Sequence, residues 1–202
     1  MSFTVARIQS ALPGGVLWQQ TGRVLHSCKE MLDDEGLHKL PYTPAIVIDK
    51  SDHILSIYLP NHRIKSYHVE LGDNGSGDKE VMGDHKTPEG AFYIVEKSIL
   101  DPPDRFLGTR WMRLSYPNGE DAARGKAQGL IDERTYEAII SAIINRRTPP
   151  QQTLLGGGIG IHGGGTAAMG KDWTWGCVGL VNEDIEEFFD LIPTGAPVII
   201  RR

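Results

Sequence analysis

From Ala45 onward the apolar residues recur with period two. Ile46 and Ile48, then Ile54, Leu55, Ile57 and Leu59, lie on either side of the turn residues Lys50-Ser51-Asp52, and Pro60-Asn61-His62 closes the second run. A third run, Arg63 to Leu71, follows at once. Three short strands joined by tight turns form a β-meander, and the absence of helical crossovers excludes the start of a parallel doubly wound sheet. Gly72 to Gly83 is a polar, glycine-rich loop, and Lys86-Thr87-Pro88-Glu89-Gly90 is a second turn before a strand over Ala91 to Val95. Trp111 to Tyr116 predicts another strand, closed by Pro117-Asn118-Gly119. The period then changes to that of a helix over Asp132 to Arg146, where Tyr136, Ile139, Ile140, Ile143 and Ile144 form one apolar stripe. Strands are expected at Leu154 to His162, Val178 to Val181 and Ala196 to Ile200. Asn182 is expected to cap a short helix through Leu191, with Glu183 and Asp184 set against its N-terminal dipole.

Ahead of the meander, Gly22 to Leu40 places Val24, Leu25, Cys28, Met31 and Leu32 at helical spacing and ends at Pro41 and Pro44. The pattern divides the chain into an N-terminal extension, 1–43, and a mainly β domain, 44–202, with a few helices packed on it. A length of 202 residues, 40% of them hydrophobic and 23% charged, suits one sizeable core. The formal charge of -5 and pI near 5.8 give no basic surface for nucleic acid or anionic lipid. No apolar run approaches the roughly 18 residues of a membrane span, and the first residues show no export signal.

The chemistry concentrates in the segment His162 to Asn182. Gly158-Ile159-Gly160-Ile161-His162-Gly163 fits a dinucleotide fingerprint, but its glycines alternate with isoleucines inside a strand, where no helix N-terminus can meet a pyrophosphate. Gly165 to Lys171 approaches a phosphate loop, yet Asp172 occupies the position of the magnesium-binding hydroxyl and would repel phosphates. The remaining reading pairs Cys177 with His162: an imidazole on one strand takes the proton of a thiol beside the next, leaving a thiolate at neutral pH. Gly176 then allows close backbone approach, with the amides of Gly176 and Cys177 as oxyanion donors. The alternative is a core thiol near a hydrogen-bonded strand histidine, and spacing alone favours it, because buried cysteines are common. A Cys28–Cys177 disulfide would consume the nucleophile, so Cys28 is read as a buried or half-buried thiol on the N-terminal helix. Asp73, Asp78, Asp84 and His85 follow no ordered ligand spacing and are read as a solvated acidic loop; no metal or cofactor is expected.

His162 followed by Thr174-x-Gly176-Cys177-Val178 resembles the signature of the L,D-transpeptidase (YkuD-like) catalytic domain. Gly83-x-x-x-Thr87-Pro88-x-Gly90-x-Phe92 resembles that family's upstream turn, and Leu155-Gly156 through Gly163 with Asp172-Trp173-Thr174 is closer to its YafK-like branch. The resemblance spans roughly Ala45 to Arg202. It implies a β-sandwich-like catalytic domain, a periplasmic or wall-associated site, a part in cell-wall biogenesis and cell shape, and peptidoglycan stem tetrapeptides as substrate. These would be attacked between meso-diaminopimelate and the terminal D-alanine. It further implies Cys177 as nucleophile through a thioester, His162 as general acid/base, Thr174 as the group orienting the histidine, and Gly176 in the oxyanion hole; Trp173 and Trp175, with Gly163, are read as substrate-binding, the alternative for the two tryptophans being packing under the active-site loop. A second stem, a lipoprotein or water could take the acyl group, and a wall-binding module without turnover or a secreted wall-targeting effector are the other classes. Two positions depart from the pattern: Trp175 stands where many members carry histidine, and Gly179 where they carry an arginine suggested to steer the substrate carboxylate. Arg110, Arg113, Arg124 and Lys171 are the candidates for that cationic role.

Overall fold

Ile46, Ile48, Leu55 and Ile57, the residues that set the two-residue period, are all buried in one large core cluster. Each such side chain contributes on the order of 1.5–3 kcal/mol through burial. The computed structural model describes residue 27, residues 43–59 and residues 62–202. Apart from residue 27, the expected helix over Gly22 to Leu40 with Cys28, and the Pro60-Asn61 part of the second turn, lie outside the described residues.

Strands β1 (Ala45–Asp49), β2 (Ile54–Leu59) and β3 (His62–His68) form the expected antiparallel meander. The chain then builds β4 (Gly90–Asp104), β5 (Gly108–Leu114), β6 (Gly160–His162), β7 (Val178–Gly179) and β8 (Pro197–Arg201). The last strand inserts between β1, to which it is parallel, and β4, to which it is antiparallel. One eight-stranded sheet results, in the order β3-β2-β1-β8-β4-β5-β6-β7. Its two ends meet: beyond β3, Glu70 bridges Gly179 and Gly72 bridges Thr174, so the sheet curls closed around the core. The fold is therefore mainly β and sandwich-like.

Three helices stand among the described residues: α1 (Gly119–Ala127), α2 (Glu133–Ile144) and α3 (Asn182–Phe189). Helix α2 begins as expected, with the Asp132 carboxylate accepting from the Thr135 amide at 2.8 Å. Helix α1 is not foreseen by the pattern, because Gly119, Gly125 and a run of small or charged residues give it no apolar stripe. What starts it is a capping box: the Asn118 side chain accepts from the Glu120 and Asp121 amides while Asp121 accepts from the Asn118 amide. It packs through Ala122 on Ile131, Ile139 and Leu155, a second small core.

Four boundaries are corrected. Strand β4 runs well past Val95, because its hairpin pairing with β5 carries it to Asp104. The strand expected over Leu154 to His162 is reduced to Gly160–His162, since Gly156 and Gly158 take positive φ of 93° and 67° and break the extended run. The one expected over Val178 to Val181 stops at Gly179. Asn182 does not cap α3: Val181 occupies that position with no side-chain hydrogen bond, and the asparagine side chain turns toward the site instead.

Candidate functional site

Strands β6 and β7 are parallel neighbours, pairing Ile161 with Val178 and His162 with Gly179. This brings the histidine strand beside the strand that Cys177 leads into, as the sequence reading requires. The turn before β7 is fixed from two sides. Thr174 Oγ1 donates to the Cys177 carbonyl at 2.7 Å and accepts from the Gly176 amide at 3.3 Å. Thr87, the threonine of the upstream turn, accepts from the Gly72 amide at 2.9 Å and donates to the Cys177 carbonyl at 3.4 Å. Thr174 thus bonds the thiol-bearing turn. Gly176 has φ of 119°, and a Cβ there would stand 2.7 Å from the Lys86 carbonyl, so only glycine fits.

Cys177 carries a free, half-buried thiol whose Sγ donates to the Gly158 carbonyl at 3.5 Å. His162 is 0% exposed. Its Nδ1 lies 2.7 Å from the Gly163 carbonyl, which can only accept, so Nδ1 carries the hydrogen and Nε2 holds a lone pair. That Nε2 is buried without a hydrogen-bond partner. Three rings surround the imidazole, with centroids at 5.6 Å for Phe106, 6.0 Å for Trp111 and 5.5 Å for Trp173. Burial pushes the His162 pKa down to about 4, against the opposing pull of the Gly163 carbonyl and the Asp104 carboxylate. Burial likewise pushes the Cys177 thiol up to about 11. Desolvation penalises both charged forms and favours the neutral thiol and the neutral imidazole over the thiolate expected from the sequence.

The two tryptophans divide their tasks. Trp175 is 66% exposed, stacked with His85 at 5.9 Å and tilted against Phe106 at 5.4 Å. Trp173 is half-buried and lies over Gly179, where a Cβ would meet its Cζ2 at 2.7 Å. The indole thus fills the space in which a side chain at position 179 would stand. Trp173 also borders a cavity of about 420 Å³ with Gly179, His68, Glu70 and Asp184. Of the proposed substitute cations, Arg110 faces Glu186 and the Phe189 ring, Arg113 pairs with Glu96 at 3.0 Å, and Arg124 pairs with Asp78 and Asp121. Those three are committed elsewhere, and Lys171 is exposed on the loop before Trp173. The acidic loop is likewise internally satisfied: Asp84 pairs with Lys79 at 2.6 Å and Asp73 with His85 at 2.9 Å. Phe106 and Asp104, at the tip of the β4–β5 hairpin, had no signal in the sequence. Only the pairing of distant strands brings that tip over His162.

Residues 43–200 match the family model of the YkuD L,D-transpeptidase catalytic domain. The chain belongs to this family. Among relatives, this YkuD-family chain is 26% identical over 176 residues to "Putative L,D-transpeptidase YqjB" of Bacillus subtilis (strain 168), covering 82% of the chain and 75% of the relative. It is 32% identical over 84 residues to "Putative L,D-transpeptidase YafK" of Escherichia coli (strain K12), covering 40% of the chain and 33% of that protein. Among solved structures, the helical cell shape determining protein Pgp2 of Campylobacter jejuni superposes with a TM-score of 0.55 at 24% identity, over 80% of this chain and 48% of that one. Bd1075 of Bdellovibrio bacteriovorus does so with a TM-score of 0.53 at 23% identity, over 79% and 48%. The YkuD-family chain thus spans a third of YafK and about half of these two structures, which share its fold.

Proposed function

We propose that this YkuD-family protein is a cysteine-dependent L,D-transpeptidase acting on peptidoglycan stem tetrapeptides on the wall-facing side of the membrane, in the periplasm or at the wall. The observation that carries the reading is the state of His162: Nδ1 is tied to the Gly163 carbonyl, and Nε2 is buried and unpartnered beside the strand that Cys177 enters. In this reading Nε2 takes the thiol proton as Sγ attacks the carbonyl between meso-diaminopimelate and D-alanine. The Gly176 and Cys177 amides stabilise the tetrahedral oxyanion, and the imidazolium returns its proton to the departing D-alanine amine. The thioester on Cys177 is then resolved by an amine of a second stem or of a lipoprotein, whose proton goes back to Nε2, or by water. Trp175 supplies an exposed aromatic face beside the thiol for the substrate, and Trp173 with Gly163 closes the back of the groove. The N-terminal residues 1–43 form an extension to the catalytic domain 44–202.

Mass spectrometry of purified muropeptides after incubation tests this. The wild-type protein produces 3→3 crosslinked or trimmed stems and the Cys177→Ala variant produces neither; identical profiles with donors of every stem length would refute the assignment. Gly179, lying under Trp173 where the family pattern has arginine, favours a second reading, a wall-binding module without turnover. A covalent carbapenem adduct on Cys177 rejects that reading.

A further inference from the structure

We propose that Asn182 is a positioning residue for His162, acting through the Gly163–Gly164 peptide unit. The inference rests on His162 being the acid/base of the proposed reaction, and it begins from an asparagine that does not do the usual work of its position. Asn182 opens helix α3, yet the helix N-cap is Val181 and has no side-chain hydrogen bond. The Asn182 Oδ1 instead accepts from the Gly164 amide at 2.9 Å and from the Thr109 amide at 3.1 Å. One oxygen therefore ties together α3, strand β5 and the loop that follows His162.

The Gly164 N–H and the Gly163 C=O belong to the same planar unit and point in opposite directions across it. Holding the N–H on Asn182 directs the C=O at His162, whose Nδ1 it meets at 2.7 Å. The tie matters because this peptide is flanked by glycine on both sides, with Gly164 at φ of 85°, and nothing in its own conformational preferences resists a flip. A flipped peptide would present an N–H to the imidazole. The favoured tautomer would then carry its hydrogen on Nε2, and that nitrogen could not accept the thiol proton. Space reinforces the arrangement: a Cβ on Gly163 or on Gly108 would overlap Asn182 Oδ1, and one on Gly164 would overlap the Phe106 carbonyl. Glycine at 108, 163 and 164 lets the three segments close on the one side-chain oxygen.

The test compares Asn182→Ala, which removes the acceptor, with Asn182→Asp, which keeps it. Long-range ¹⁵N–¹H correlation spectra of histidine-labelled protein read the His162 tautomer without any substrate, and carbapenem acylation of Cys177 reads the proton transfer. The wild type shows the Nδ1–H tautomer alone. Asn182→Ala shows a mixture and is acylated more slowly by roughly tenfold to a hundredfold, by analogy with the loss when the hydrogen-bond partner of a metal-bound histidine is removed. Asn182→Asp recovers the single tautomer and most of the rate. A folded Asn182→Ala protein with the wild-type tautomer overturns the proposal. If circular dichroism shows that this variant does not fold, Asn182→Ser, too short to reach both amides, carries the same two readings with the same criterion. A wild type that shows the Nδ1–H tautomer but is never acylated overturns the proposed function and leaves the positioning role standing.

Discussion

At the scale of single residues, the site combines a buried imidazole with a half-buried thiol. With His162 pushed down to about 4 and Cys177 up to about 11, desolvation holds both groups toward their neutral forms. In a Cys28→Ser background, alkylation of Cys177 by iodoacetamide is therefore slow at pH 8 and rises toward pH 11; a plateau below pH 8 would show a preformed thiolate. The buried imidazole also makes stability depend on pH. Between pH 6.5 and about 4 the unfolded chain binds a proton at this residue that the folded one does not, so the contribution is complete above pH 6.5 and is lost as the pH falls. At pH 4 the loss is about 3 kcal/mol, read as the difference between denaturation curves of the wild type and His162→Gln. The same scale explains Gly179. Gly179→Arg alone lowers the melting temperature, because its Cβ drives into Trp173, whereas combining it with Trp173→Ala costs less than the sum of the two single changes.

At the scale of elements, the site depends on segments far apart in sequence that share a few buried polar groups. Lys50, 1% exposed at the end of β1, donates to the Gly77 carbonyl at 2.9 Å, the Thr87 carbonyl at 2.8 Å and the Glu89 carboxylate at 2.9 Å. It thereby fixes the turn whose Thr87 hydroxyl reaches Cys177. Lys50→Met leaves the partly exposed Glu89 carboxylate and two carbonyls without that partner and destabilises the domain by about 1–3 kcal/mol in chemical denaturation, the usual range for lost hydrogen bonds to a charged group. The loop carrying Trp173 is tied in the same manner: Asp172 accepts from His53 at 2.9 Å and from the Leu71 amide at 3.0 Å, and donates its own amide to Glu70 at 2.7 Å. The strong elements were legible in the sequence. Strands β1 and β2 and helix α2 have alternation or an apolar stripe that local pattern alone reveals. Helix α1 was missed because its stability lies in a capping box and a small core under Leu155, and the long β4 because it extends only by pairing with β5.

At the scale of the whole molecule, the chain folds one sheet whose ends meet at Glu70–Gly179 and Gly72–Thr174, and the turn that carries Cys177 sits on that seam. Breaking the seam should therefore be felt at the site. Thr87→Val removes the group that bonds both the Gly72 amide and the Cys177 carbonyl across it, and costs about 1–3 kcal/mol in stability. It also slows carbapenem acylation of Cys177, whereas a substitution at the exposed Ile144 on α2 leaves that rate unchanged.

The sequence by itself determined the chemistry on offer and the local elements: a cysteine after Thr-x-Gly, a histidine at the end of a strand, the meander that opens the domain, and the family motifs that join them. Periodicity, turn residues and motif spacing are short-range properties, written in contiguous residues. Tertiary structure alone decided that Thr174 holds the thiol's turn, that Gly163 holds the imidazole, that Trp173 occupies the space above Gly179, and that the Asn182 side chain accepts from the Gly164 and Thr109 amides. Each of these depends on desolvation or on contact between segments brought together by the closing of the sheet, and no local pattern records which distant groups will meet.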